Sequence, residues 1–100
     1  MDASQRLVAL TQALADTLRM EILRELMVGA ATVSELTALT GATQPNVSNH
    51  LALLRERGLV RATREGRQMR YEITNPAVAS LIEALAVVAD APSRAAPERV

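Results

Sequence analysis

The stretch that decides the fold is TQPNVSNHLALLRERGLV, residues 43–60. Proline is tolerated in the first turn of a helix, because its missing N–H would have no helical partner there, so a helix is expected to begin at Gln44. Gly58 is expected to end it. Three apolar residues recur at spacings that place them on one helical face: Val47, Leu51 and Leu54. The other faces of this helix are therefore polar and exposed.

A second helix is expected directly upstream. Thr32 and Glu35 have the spacing of a capping box, which specifies the start of a helix, and Gly41 is expected to end it. Only Thr40 to Gln44 separate this helix from the next. Such a short connection between two helices is typical of a helix-turn-helix.

Two more helices are expected nearer the amino terminus. Residues 4–15 have the periodicity of an amphipathic helix. Asp16 or Thr17 can cap the next helix, which is expected to run to Gly29. A final helix is expected to follow Pro76 and to end near residue 89.

After Gly58 the apolar period changes from helical to two, which predicts a β-hairpin with its turn at Gly66. On the second strand Met69, Tyr71 and Ile73 share one face, which we expect to cover the helices. The predicted fold class is thus mainly α with a small β-hairpin wing, a winged helix-turn-helix of about five helices and two strands. It is expected to occupy residues 1–90 as one domain, with residues 91–100 as a disordered tail.

Composition excludes several classes of function. The 100 residues suffice for one domain and contain no cysteine, so disulfides, thiolate metal sites and cysteine nucleophiles are absent. With a single histidine and no phosphate-cradling glycine loop, the chain is not expected to be an enzyme. No apolar segment approaches the roughly 18 residues that span a bilayer. A cytoplasmic protein without a membrane partner is expected.

Positive charge is concentrated in the helix-turn-helix and the hairpin. The whole chain has a net charge of zero, whereas residues 43–73 hold six arginines and three glutamates. The planar guanidinium of arginine suits phosphate oxygens and guanine edges. The charge distribution therefore favours nucleic acid as a partner.

Three stretches of the sequence are similar to those of one known family: QPNVSNHL at 44–51 with Leu54 and Gly58-Leu59-Val60, LADTLRMEIL at 14–23, and Glu65-Gly66-Arg67 with Tyr71. Together they resemble the ArsR/SmtB winged-helix transcriptional regulators. Thr17 stands where a proline is usual in that family. The resemblance covers about residues 5–90.

The resemblance implies a homodimer that regulates transcription, usually as a repressor, by placing the fourth helix of each subunit in the major groove of operator DNA. It also implies that the first and last helices pack across the two-fold axis. The apolar residues expected in this interface are Leu7, Leu10, Leu14, Leu81, Leu85 and Val88. The alternative is that these two helices pack only on each other within one chain.

Side chains at the amino-terminal end of the fourth helix are the candidates for DNA recognition. Those expected on base edges are Gln44, Asn46, Ser48 and Asn49, while Thr43 and Ser48 can equally hold phosphates. Arg64, Arg67 and Arg70 on the wing are expected at phosphates or the minor groove. The alternative for the fourth helix is that its polar face serves only solubility. The alternative for the wing arginines is that they lie on an ordinary hairpin exposed to solvent. A winged helix can also serve as a protein-interaction or dimerisation module without direct DNA binding.

The signal that such a regulator would sense is not evident. Family members often bind metal through a Cys-x-Cys in the third helix, where this chain has Thr32 and Ser34. The last helix offers only Glu83 and Asp90, a poor set of ligands for transition metals. His50 is expected to be a half-buried, hydrogen-bonded structural residue and not a ligand. No cofactor is predicted; a small-molecule effector, a partner protein, an unconventional metal site across the dimer (nickel included) and no ligand at all stay open.

Overall fold

The computed structural model describes residues 1–91, so the tail predicted from residue 91 onward lies almost wholly outside the described residues. The described part contains five helices: α1 (Ala3–Leu14), α2 (Thr17–Val28), α3 (Val33–Thr40), α4 (Gln44–Glu56) and α5 (Pro76–Asp90). It contains three strands: β1 (Ala31–Thr32), β2 (Val60–Glu65) and β3 (Gln68–Ile73). The predicted winged helix-turn-helix is confirmed. None of these helices combines the length and the apolar character needed to cross a membrane.

The sheet has one strand more than the sequence predicted. β1 pairs antiparallel with β3, so that Ala31 lies opposite Tyr71 and Thr32 opposite Arg70, and the strand order is β1-β3-β2. A two-residue strand is too short to show an alternating apolar pattern. The sequence predicts Thr32 as the cap of a helix, and in the structure Thr32 also belongs to β1.

Local capping explains where the helices begin. Of the two candidates for α2, Asp16 is the cap, because its carboxylate accepts a hydrogen bond from the Arg19 N–H at 3.0 Å. At α3 the Thr32 N–H donates to Glu35 Oε1 at 2.8 Å, and the Glu35 N–H donates to Thr32 Oγ1 at 3.2 Å. The predicted capping box is confirmed. Its two bonds satisfy N–H groups that the first turn of a helix leaves without partners.

Replacing Thr32 with alanine should lower the free energy of unfolding by about 1 kcal/mol, and by no more than about 2 kcal/mol, because the α3 cap is lost. The side chain is almost fully buried, so water cannot replace its hydroxyl easily. Thr17→Ala is the matched control, since Thr17 is exposed in the first turn of α2 and should stay within about 0.5 kcal/mol. Urea unfolding of both variants measures the difference, and equal midpoints would show that the Thr32 cap is dispensable.

The core lies between α2, α3, α4 and the sheet. Its largest fully buried side chains come from these helices and from β2: Ile22, Leu23, Leu36, Val47, Leu51, Leu54 and Val60. Tyr71 and Ile73 pack on this core from β3, as the alternation predicted, while Met69 nearer the turn lies outside it. One face of α4 is thereby anchored along its length, and its opposite face is left to solvent.

Candidate nucleic-acid interface

The turn between α3 and α4 is short and depends on glycine. Gly41 has φ 75°, in the left-handed region, and its N–H donates to the Thr37 carbonyl at 2.9 Å. A side chain at this position would be strained, because a Cβ is disfavoured at positive φ. Thr43 caps α4 and accepts a hydrogen bond from the Asn46 N–H at 3.4 Å. This turn sets α4, the recognition helix, with its amino terminus outward.

Polar side chains on the recognition helix form two strips. Successive residues of a helix are about 100° apart, so Asn46 and Asn49 share one strip while Gln44 and Ser48 share another. Asn46, Asn49 and Gln44 are exposed and Ser48 is half-buried. Both strips start at the amino-terminal end of α4, where free N–H groups and the helix dipole favour phosphate. The structure thus places the predicted base-contacting residues at one end of α4 and on two of its faces.

The wing, residues 60–73, is a hairpin with a two-residue turn. Glu65 lies opposite Gln68, which leaves Gly66 and Arg67 as the central residues of the turn. Gly66 has φ 63° and Arg67 does not have a positive φ, the pattern of a type II′ hairpin turn. Arg67 is exposed at the tip, as predicted, and exposed Arg64 donates to the Gly66 carbonyl at 3.4 Å.

Arg70 has a different environment from the other two wing arginines. Its Nε and one terminal nitrogen donate to the Glu65 carboxylate at 2.8 and 2.9 Å. Its other terminal nitrogen lies 3.2 Å from the Ala30 carbonyl oxygen and 3.4 Å from Glu35 Oε1. The guanidinium is therefore occupied by groups of the same chain. These contacts use four of its five N–H groups, so one N–H of a terminal nitrogen is left for the predicted contact of Arg70 with DNA, which stays a prediction.

His50 has the structural role that the sequence predicted. It is half-buried; its Nδ1 lies 3.1 Å from a terminal nitrogen of Arg19, and its Nε2 lies 3.7 Å from Asp16 Oδ1. The Arg19 N–H bond and, to a smaller degree, His50 and the Arg19 charge lower the pKa of the Asp16 carboxyl. His50 thus ties the recognition helix to the start of α2.

Arg19 is a residue that the sequence analysis missed. Its side chain donates to the Ala13 carbonyl at 2.6 Å and to the Gln12 carbonyl at 3.2 Å, besides the contact with His50. Those carbonyls belong to the last turn of α1, where helical partners are lacking. Arg19 therefore connects α1, α2 and α4. No pattern in the sequence relates it to a residue 31 positions downstream.

The residues predicted for the dimer interface divide into three groups. Leu14 is only 7% exposed and belongs to the core of its own chain, which corrects its assignment to an interface. Leu10 and Leu81 are partly buried against that core. Leu7, Leu85 and Val88 are 63%, 41% and 73% exposed. The alternative, that the first and last helices pack only on each other within one chain, therefore does not cover these three side chains.

Comparison with known proteins identifies the family. The sequence profile described as bacterial regulatory protein, arsR family, matches residues 16–62. The HTH-type transcriptional regulator CmtR of Mycobacterium tuberculosis is 45% identical over 82 residues, which are 82% of this chain and 70% of that protein. The chain belongs to the arsR family of bacterial regulatory proteins. As an ArsR-family member it is a transcriptional regulator with a winged helix-turn-helix DNA-binding domain and not an enzyme.

Solved structures share this architecture. HlyU from Vibrio cholerae superposes with a TM-score of 0.79 at 32% identity, covering 88% of this chain and 97% of that one. A homodimeric winged helix-turn-helix DNA-binding domain from Mycobacterium bovis superposes with a TM-score of 0.80 at 35% identity, covering 86% of this chain and 80% of that one. The ArsR-family fold therefore extends beyond the matched profile to α1, the wing and α5.

Proposed function

We propose that this ArsR-family regulator binds operator DNA as a homodimer and represses transcription, with α4 of each subunit in the major groove and the wing on the phosphate backbone. The observation that carries the proposal is the arrangement of α4. Its apolar face is fully buried at Val47, Leu51 and Leu54, while its amino-terminal end exposes uncharged polar side chains. A helix held in this way can enter a groove without unfolding any part of the core.

Three amides are the proposed base readers. Gln44, Asn46 and Asn49 are exposed, and their side chains can bind adenine through paired hydrogen bonds. Thr43 at the helix cap and half-buried Ser48 are better placed for phosphates, because short hydroxyls at a helix amino terminus reach only nearby groups. Base and backbone contacts would thus come from one helix end.

Exposed apolar residues support the homodimer. Among the described residues, the large apolar side chains exposed on α1 and α5 are Leu7, Val8, Leu85, Val87 and Val88. Val8 and Val87 were not among the predicted interface residues. Apolar surface of this kind is stabilised by burial against a second subunit. The similar domain from Mycobacterium bovis is described as homodimeric.

The signal and the direction of regulation belong to the proposal as well. Repression is what the resemblance to ArsR/SmtB regulators implies, although the relative HlyU is named a transcriptional activator. With no cysteine in the chain, a thiolate metal sensor is not proposed, and we propose a regulator without a resident cofactor that acts in the cytoplasm. A transcriptional reporter beside a bound site should rise in output when the gene is deleted; a fall would indicate an activator.

Recovery of bound fragments from sheared genomic DNA tests DNA binding directly. A few sites should be enriched strongly, and binding to the recovered duplexes should weaken steeply as salt rises. If no duplex binds with measurable salt dependence, the chain is a protein-interaction module and the proposal fails. The genes beside the enriched sites would indicate the signal.

Replacing Arg67 with alanine should weaken binding to all duplexes and lower the slope of log affinity against log salt by about one unit, because one phosphate contact is lost. Arg67 is chosen because it lies exposed at the tip of the wing. Arg6→Ala is the control of equal charge, on α1, where the Arg6 guanidinium bonds the Met1 carbonyl. Fluorescence anisotropy across a salt series measures both slopes. An equal loss of slope in the two variants would indicate a general charge effect and not a local contact.

A further inference from the structure

One guanidinium joins the wing to the helix-turn-helix. Arg70 lies on β3 opposite Thr63 of β2, two pairs further from the turn than the Glu65–Gln68 pair. Arg70 and Glu65 are thus diagonal neighbours on one face of the hairpin, and their two parallel hydrogen bonds form a bidentate ion pair. Such a pair fixes both the distance and the angle between the two side chains.

The second half of the same guanidinium reaches the helices. It lies within hydrogen-bond distance of the Ala30 carbonyl, just before β1, and of Glu35 Oε1. Glu35 Oε1 also accepts the Thr32 N–H at 2.8 Å as part of the α3 capping box. Arg70 therefore links the end of β2, the segment before β1 and the first turn of α3, the first helix of the helix-turn-helix.

We infer that Arg70 is a positioning residue, which holds the wing tip at a fixed place relative to the helix-turn-helix so that Arg67 meets the DNA backbone. The inference rests on the proposed function, because it assumes that the wing contacts DNA. Arg70 acts through Glu65 and Glu35 and not by touching phosphate. This positioning role differs from the contact with phosphates or the minor groove that the sequence predicted for Arg70.

The wing needs such a link for a physical reason. β1 supports the hairpin only as far as the Thr32–Arg70 pair, so the part nearer the turn has two strands, and its residues are exposed or half-buried. A two-stranded ribbon is only marginally stable by itself. Side chains that are fixed before binding avoid the loss of conformational freedom that binding would otherwise cost. By holding Glu65 at the base of the turn, Arg70 restricts the neighbouring tip residues, Gly66 and Arg67.

Charge supports the same assignment. The hydrogen bond from Arg70 lowers the pKa of the Glu65 carboxyl, and the same contact raises the pKa of Arg70. Both groups stay ionised at neutral pH, and each balances the charge of the other. A glutamate without an ion-pair partner beside the turn would repel the phosphates of DNA. The ion pair with Arg70 therefore also allows the Glu65 carboxylate to lie close to the DNA backbone.

The decisive variant is Glu65→Ala. Electrostatics alone predicts tighter DNA binding, since a negative charge is removed and Arg70 is freed for phosphate. The positioning role predicts binding weaker by about threefold to tenfold, the cost of ordering one or two released side chains. Glu72→Ala is the matched control: Glu72 pairs with Arg61 in the same hairpin at 2.8 Å and, within the described residues, makes no hydrogen bond or ion pair with a helix. Its loss should leave binding unchanged or tighter.

A double-mutant cycle separates positioning from general destabilisation. Arg67→Ala should reduce DNA affinity and the slope of log affinity against log salt less in the Glu65→Ala background than in the native chain. The reason is that a displaced wing tip no longer places Arg67 at the DNA backbone. Arg70→Lys, which keeps the charge and loses the bidentate geometry, should behave like Glu65→Ala. Thermal unfolding of each variant verifies that it is folded at the assay temperature.

Three results distinguish the ways of failing. If the native protein shows no salt-dependent DNA binding, the proposed function fails first. If it binds but Arg67→Ala leaves the salt slope unchanged, the role of the wing in the proposed function fails. If Arg67→Ala acts equally in both backgrounds, or Glu65→Ala binds as tightly as the native chain, the positioning role of Arg70 is overturned while DNA binding stands.

Discussion

Replacing Leu85 with glutamate should convert the homodimer into monomers and weaken operator binding by about a hundredfold or more, since linked half-site binding raises avidity by about 10²–10⁴. Leu85 lies on α5 and is 41% exposed, beside a core that already buries Ile82 on the same helix. A charge placed there would have to be buried without a partner in the dimer, which is strongly unfavourable. In the monomer the same glutamate would be hydrated.

The experiment measures molar mass by light scattering and operator affinity by anisotropy on the same samples. Leu7→Glu, on the exposed face of α1, should have the same effect, because both helices are proposed to meet the partner subunit. Val28→Glu is the control: Val28 is 88% exposed at the end of α2, and its variant should stay dimeric. A dimeric Leu85→Glu variant with native affinity would place the interface elsewhere.

Much of the fold follows from short-range features of the sequence. The capping box of α3, Pro45 at the start of α4 and the glycines at turns act within a few residues, so their effects can be predicted without knowing the rest of the structure. The spacing of Val47, Leu51 and Leu54 determines which face of α4 is buried. The polar side chains of α4 lie outside that face, so they can be predicted to be exposed.

The predictions that changed involve contacts between distant parts of the chain. Periodicity shows that Leu14 lies on the apolar stripe of α1, and it does not show whether that stripe packs on its own core or on a second subunit. Charge and position likewise placed Arg70 on the wing. Only the structure shows that the Glu65 carboxylate and the Ala30 carbonyl occupy its donors. Sequence patterns therefore locate a side chain on its own element and leave its partners open.

Replacing Asn46 and Asn49 together with alanine should remove most of the preference for operator over random DNA. Each good base contact contributes about 1–3 kcal/mol to discrimination, which is about fivefold or more for each residue. Binding to random duplexes should change little, and the salt slope should stay the same, since neither residue carries charge. Stability should not fall, because both residues are exposed on a helix and alanine has the higher helix propensity.

Gln44→Ala tells which strip of the recognition helix faces the bases. Asn46 and Asn49 lie on one strip and Gln44 on the other, so the relative losses orient α4 about its own axis. If the double variant keeps native discrimination while Gln44→Ala loses it, α4 is rotated toward the strip that Gln44 shares with Ser48. Competition between operator and random duplexes gives the ratio directly. If only the Asn46 and Asn49 variant loses discrimination, their strip faces the floor of the groove and Gln44 faces the DNA backbone.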